Sequence, residues 1–126
     1  MKVRLIERGE SVEQTREILL NQDDFLIGRG PDCDLRLHGE TVSRHHCIIR
    51  RGGEEPTLID LGSSNGTYLN GNRVRSQATL SSGDLLAVGA FSFIVLLGDQ
   101  TWTDLAGKGL SNSMSVTQKI PNPPAR

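Results

Sequence analysis

The sequence predicts an all-β fold, a β-sandwich of many short strands. Three observations point there. Short apolar runs alternate with polar residues at a period of two rather than 3.6. Turn chemistry separates these runs at close intervals, as in Gly30-Pro31-Asp32, Arg50-Arg51-Gly52-Gly53 and Asn70-Gly71. No segment carries a convincing helical stripe.

Taken in order, Val3 and Leu5 alternate with Arg4 and Ile6 as a first strand, and Ser11 to Gln14 reads as a polar turn. Glu17 to Leu20 and Phe25 to Ile27 are short apolar runs, and Asn21-Gln22-Asp23-Asp24 between them predicts a hairpin. Val12 to Leu20 is the one stretch that can be drawn as a helix. Its β-branched Thr15 and Ile18, set between turns, favour a strand. Asp34-Leu35-Arg36-Leu37 alternates as an edge or half-buried strand does. Cys47 to Ile49, followed by two arginines and two glycines, opens another hairpin. Leu58-Ile59 and Tyr68-Leu69 come next, and Asn70-Gly71 suits a tight primed turn. Leu85 to Val88 and Phe91 to Leu97 close the apolar part across Gly89-Ala90. Roughly ten strands result, with no internal repeat. The domain is expected over residues 1–97. Residues 98–126, rich in Gly, Ser, Thr and Pro, read as a mostly disordered tail in which Trp102 is able to pack back on the sandwich.

A chain of 126 residues is one domain long and large enough to bury a core without staples. Its net charge of −1 gives no general attraction to nucleic acid or to an anionic membrane, so anion binding must come from local arginines. No apolar run approaches the roughly 18 residues that span a bilayer. Charges at Lys2, Arg4 and Glu7 sit where a signal peptide needs apolar residues. Two cysteines, Cys33 and Cys47, are too few for a disulfide framework and fit a reduced, cytoplasmic setting, although the sequence leaves a single bridge between them open.

Three polar clusters carry the chemistry. They are Gly28-Arg29, Ser43-Arg44-His45-His46 and Ser63-Ser64-Asn65-Gly66-Thr67, each at the edge of a strand-like run. Loops that hold Arg, Ser and Asn and converge at one end of a sandwich suit a phosphate. A guanidinium forms two parallel charge-assisted bonds, and hydroxyls donate to the remaining lone pairs. Each cluster also has a plain reading. Arg29 alone is a solvated arginine in a turn; no helix follows it for a dinucleotide fingerprint, and no Lys-Ser or Lys-Thr for a P-loop. A hydrolase built on Ser43 and His46 would need an acidic orienting partner and an oxyanion hole, and the strand–turn–helix elbow is absent. His45 and His46 on a strand point to opposite faces and ligate one metal poorly. The Ser-Ser-Asn-Gly segment alone is a polar connection, yet its Asn and Gly tolerate the left-handed backbone that builds an anion nest.

With Gly-Arg, Ser-x-x-His, Asp60-Leu61-Gly62-Ser63-Ser64-Asn65-Gly66-Thr67, Asn70-Gly71 and Gly83-Asp84 in this order, the sequence resembles the forkhead-associated (FHA) family over about residues 3 to 97. The resemblance implies an eleven-stranded β-sandwich that binds phosphothreonine peptides, with no catalysis, cofactor or metal. It implies Arg29 and Ser43 as the main phosphate ligands and Ser64 as a helper. Asn65 matches the residue that bonds the peptide backbone, and Arg44 a variable position for a second cation or a peptide contact. Gly28, His46, Gly66 and Asn70 match positions that shape the loops. The expected partner is a Thr-phosphorylated protein, which requires a Ser/Thr kinase to make it. The alternative is a structural assembly module that docks an unphosphorylated partner; the presence of Arg29, Ser43 and Asn65 together argues against it.

Overall fold

Alternation in the first strand sets the layering. In β1 (Val3–Glu7), Val3 and Leu5 are fully buried, while Arg4 and Ile6 lie on the opposite face. The computed structural model describes residues 2–8 and 15–100. The predicted turn at Ser11 to Gln14 and the tail beyond Gln100, with Trp102, lie outside the described residues.

Ten more strands follow: β2 (Arg16–Leu19), β3 (Asp24–Gly28), β4 (Leu35–Arg36), β5 (Cys47–Arg50), β6 (Thr57–Asp60), β7 (Thr67–Leu69), β8 (Asn72–Arg73), β9 (Gln77–Thr79), β10 (Leu85–Val88) and β11 (Phe91–Leu97). They form a six-stranded sheet, β2-β1-β11-β10-β7-β8, and a five-stranded sheet, β4-β3-β5-β6-β9. The core lies between the two. Phe93, Val95, Leu86 and Val88 from one sheet share it with Phe25, Ile27, Ile49 and Leu58 from the other. The predicted all-β sandwich is the one observed, and no helix occurs among the described residues.

The turns account for most connections. Asn70 and Gly71, at φ 53° and 85°, make a two-residue link between β7 and β8, in which Leu69 pairs with Asn72. Positive φ at both central residues is the primed geometry that matches strand twist. β5 and β6 form the hairpin expected around Arg51 to Gly53. β4 is the short edge strand expected at Leu35, parallel to β3.

One connection departs from expectation. Asn21 to Asp24 is not a hairpin turn, because β2 pairs with β1 while β3 pairs with β4 and β5 in the other sheet. The chain crosses between layers here, and Leu20, 1% exposed, enters the core at the crossing. The polar composition marked a change of direction without specifying which strands would pair. Past Leu97, the Gly98 N–H donates to the Lys2 carbonyl at 2.8 Å, so the described chain stays on β1 beyond the last strand.

Candidate functional site

The three clusters meet at one end of the sandwich, in the loops after β3, before β5 and after β6. Gly28 ends β3 buried, and a Cβ there would overlap the Arg44 carbonyl oxygen. Only glycine permits this approach of two backbones. It lets the Gly30 N–H donate to the Arg44 carbonyl at 3.0 Å and the Arg29 N–H to the Ser43 carbonyl at 2.9 Å.

Arg29 is exposed, and its Nε donates to the Val42 carbonyl at 3.0 Å. That bond fixes the plane of the guanidinium and leaves both Nη nitrogens without a protein acceptor among the described residues. Ser43 is half-buried, and its Oγ accepts the backbone N–H of Ser64 at 3.0 Å. Its own O–H has no acceptor among the described residues, so the proton is available to an incoming oxygen. Ser64 and Asn65 are exposed, and the Asn65 amide donates to the Thr41 carbonyl at 3.0 Å. Arg44 is exposed and makes no ion pair among the described residues.

His46 ties these loops together. It is fully buried. Its Nδ1 accepts the Ser43 N–H at 3.0 Å, and its Nε2 lies 2.9 Å from the Gly66 carbonyl. A backbone N–H can only donate, so Nδ1 is the acceptor and the ring proton sits on Nε2, pointed at Gly66. Gly66 has φ 88°, and a Cβ there would press on Arg73 Nε at 2.9 Å. His45 points the other way and pairs with the Asp32 carboxylate at 2.8 Å. This bond, then the backbone N–H of Asp32 itself and, less strongly, the nearby positive charge of His45 and Arg44, hold Asp32 below the ordinary carboxylate range.

Asp60, at the end of β6, has the widest set of partners in the cluster, and the sequence reading gave it no role. Its Oδ1 accepts the hydroxyls of Ser63 and Thr67, both at 2.6 Å. Its Oδ2 accepts the N–H groups of Gly62 at 3.0 Å and Ser63 at 3.2 Å. Burial alone raises its pKa, but these donors outweigh burial and the net shift is downward. The carboxylate folds the loop so that Ser63 is buried and Ser64 faces out. The available signal was an Asp at a strand end with Gly two residues on and Ser three residues on, the pattern of an Asx turn. Thr41 was missed as well. Its Oγ1 accepts the Ala90 N–H at 2.9 Å, which anchors the loop before β5 to the β10–β11 turn.

Asn70 is not part of this cluster. It lies at the far end of β7, where its side chain donates to Asp84 and accepts from the Leu85 N–H, both at 2.9 Å. Cys33 and Cys47 are free thiols. Burial, aided by the nearby Asp60 charge, pushes the Cys47 thiol up to about 12. It is therefore a protonated core residue rather than a nucleophile.

The FHA domain model matches residues 25–89, the span from β3 to the β10–β11 turn that holds every loop of the cluster. The chain belongs to the FHA family. Among curated relatives, this FHA chain is 36% identical over 96 residues to the oxoglutarate dehydrogenase inhibitor of Corynebacterium jeikeium, covering 76% of this chain and 65% of that one. It is 38% identical over 97 residues to the glycogen accumulation regulator GarA of Mycolicibacterium smegmatis, covering 77% and 60% respectively. The chain thus spans less than two thirds of the length of these relatives. Among solved structures, it superposes on Mycobacterium tuberculosis EmbR in complex with a low-affinity phosphopeptide. The TM-score is 0.72 at 31% identity, over 79% of this chain and 25% of that one.

Proposed function

We infer that this FHA domain is a non-catalytic adaptor that binds a Thr-phosphorylated protein partner, the product of a Ser/Thr kinase, in the cytoplasm. The observation that carries the reading is the arrangement at Ser43 and Arg29. The Ser43 Oγ already accepts one N–H and has its proton to give, and the Arg29 guanidinium is anchored at Nε to the carbonyl of Val42, the residue before Ser43, with both Nη nitrogens unoccupied among the described residues. A tetrahedral anion satisfies both groups at once, where a neutral partner would leave the guanidinium unpaired.

In this reading Arg29 and Ser43 bind the phosphate, and the exposed Ser64 adds a hydroxyl. Asn65 exchanges its Thr41 contact for the peptide backbone, and Arg44 contributes a second positive charge at the rim. Gly28, His46 and Gly66 hold the loops in place. Preference for phosphothreonine over phosphoserine requires burial of the γ-methyl, which contributes about 1 kcal/mol. Free Cys33 and Cys47 suit a reducing compartment. The phosphopeptide bound to EmbR and the regulator and inhibitor names of the curated relatives agree with a binding module.

The test is capture of a partner from lysate before and after alkaline phosphatase, paired with titration of one peptide in phosphothreonine, phosphoserine and unphosphorylated forms. The expected result is binding of the phosphothreonine form and loss of capture after phosphatase. Capture that survives phosphatase, with no phosphopeptide affinity, would support the phosphorylation-independent assembly module instead.

A further inference from the structure

Beside the cluster lies an open groove of about 750 Å³, lined by Arg29, Arg36, His38, Gly39 and Glu40. Pockets of ~300–1,000 Å³ hold ligands much larger than one phosphoryl group. The groove therefore has room for side chains flanking a bound phosphothreonine. Arg36 is the feature that the FHA reading leaves unused. It stands on the edge strand β4 with an exposed side chain, and its Nε donates to the Arg29 carbonyl at 2.9 Å. Two guanidiniums thus line one groove, each anchored through Nε to a backbone carbonyl. The Nη nitrogens of Arg36 have no carboxylate partner among the described residues. Such anchoring leaves less rotamer freedom to lose on binding than a free surface arginine has.

We propose that this groove is a second anionic subsite, in which Arg36 reads a carboxylate side chain, Asp or Glu, close to the phosphothreonine in the same peptide. The assignment rests on the phosphopeptide reading and deepens it. Glu40 also lines the groove, and its carboxylate opposes an acidic side chain near itself, so acid preference is expected at the flanking positions nearest Arg36 and not uniformly along the peptide. His38 lines the same groove.

The experiment is calorimetric titration of phosphothreonine peptides that differ at one flanking position at a time, carrying Ala, Glu or Lys, with the wild-type chain and with Arg36→Gln. The wild type is expected to bind the Glu peptide about fivefold more tightly than the Ala peptide at one flanking position, the upper range for a partly exposed ion pair. In Arg36→Gln the Glu-to-Ala ratio is expected to fall to about one, which isolates the pairwise contribution as a double-mutant cycle does. Two outcomes overturn the proposal. The wild type shows no preference for Glu at any position; or the preference survives in Arg36→Gln, whether the Glu and Ala peptides both bind as before or both weaken by one common factor, the latter making Arg36 only a support for the Arg29 loop. If no phosphothreonine peptide binds the wild type, the phosphopeptide reading itself falls, and the subsite with it.

Discussion

The backbone N–H of Ser64 donates to the Oγ of Ser43 at 3.0 Å, across 21 residues of chain. This bond joins the loop before β5 to the loop after β6 and decides what the Ser43 hydroxyl can do next. One lone pair is used, and the proton remains to be donated. Ser43→Ala should therefore weaken phosphopeptide binding about tenfold, the lower end for a hydrogen bond to a charged group. Its melting temperature should change little, because Ser64 is exposed and its N–H can turn to water. Calorimetry and thermal unfolding of the same preparation read both effects.

His46 shows the opposite balance. Its ring is fully buried and bridges Ser43 and Gly66 through both nitrogens. His46→Ala removes two hydrogen bonds, leaves the Ser43 N–H and the Gly66 carbonyl without partners, and opens a cavity. The expected loss is about 2–4 kcal/mol in urea unfolding. An unfolding midpoint unchanged from wild type would contradict the bridging role.

Gly28 tests the close approach of two backbones. Gly28→Ala drives a methyl into the Arg44 carbonyl, and the atom it meets is backbone and cannot swing away. The loops must separate, at a cost of about 1–3 kcal/mol. The Gly30-to-Arg44 hydrogen bond should open with them, and faster amide exchange at Gly30 is the measurement.

Asp60 should make stability depend on acidity. Its carboxyl is held below the ordinary range, because the Ser63 and Thr67 hydroxyls and the N–H groups of Ser63 and Gly62 outweigh the opposing effect of burial. A depressed folded value means that the unfolded chain binds the proton more readily. The contribution is thus fully present above the unfolded carboxyl value and is lost as pH falls through the folded value. Urea unfolding between neutral pH and about pH 3 should show a smaller acid-induced loss in Asp60→Asn than in wild type. Equal pH slopes for the two proteins would remove Asp60 from the account.

Much of this was legible because it is local. Alternation at Val3 to Ile6, the Asn70-Gly71 turn and the Gly28-Arg29 and Ser43-to-His46 clusters each declare themselves within a few residues. What stayed hidden depends on residues distant in sequence. Asn21 to Asp24 has hairpin composition, yet its flanking strands enter different sheets, and only pairing with β1 and β5 decides that. Arg29 is held by the Val42 carbonyl, and every residue has a carbonyl, so no composition marks it. Arg36 reads as the polar half of an edge strand; its bond to the Arg29 carbonyl follows from where β4 lies against β3.

The central claim concerns Arg29, and titration of a phosphothreonine peptide into wild type, Arg29→Ala and Arg29→Lys tests it most directly. Arg29→Ala should lose about ten- to a hundredfold in affinity, in line with about 1.5–3 kcal/mol for a hydrogen bond to a charged group. Arg29→Lys should recover only part of this, because lysine keeps the charge without the planar fork. Undiminished phosphopeptide affinity in Arg29→Ala, with the fold intact by thermal unfolding, would contradict the account and place the binding site elsewhere.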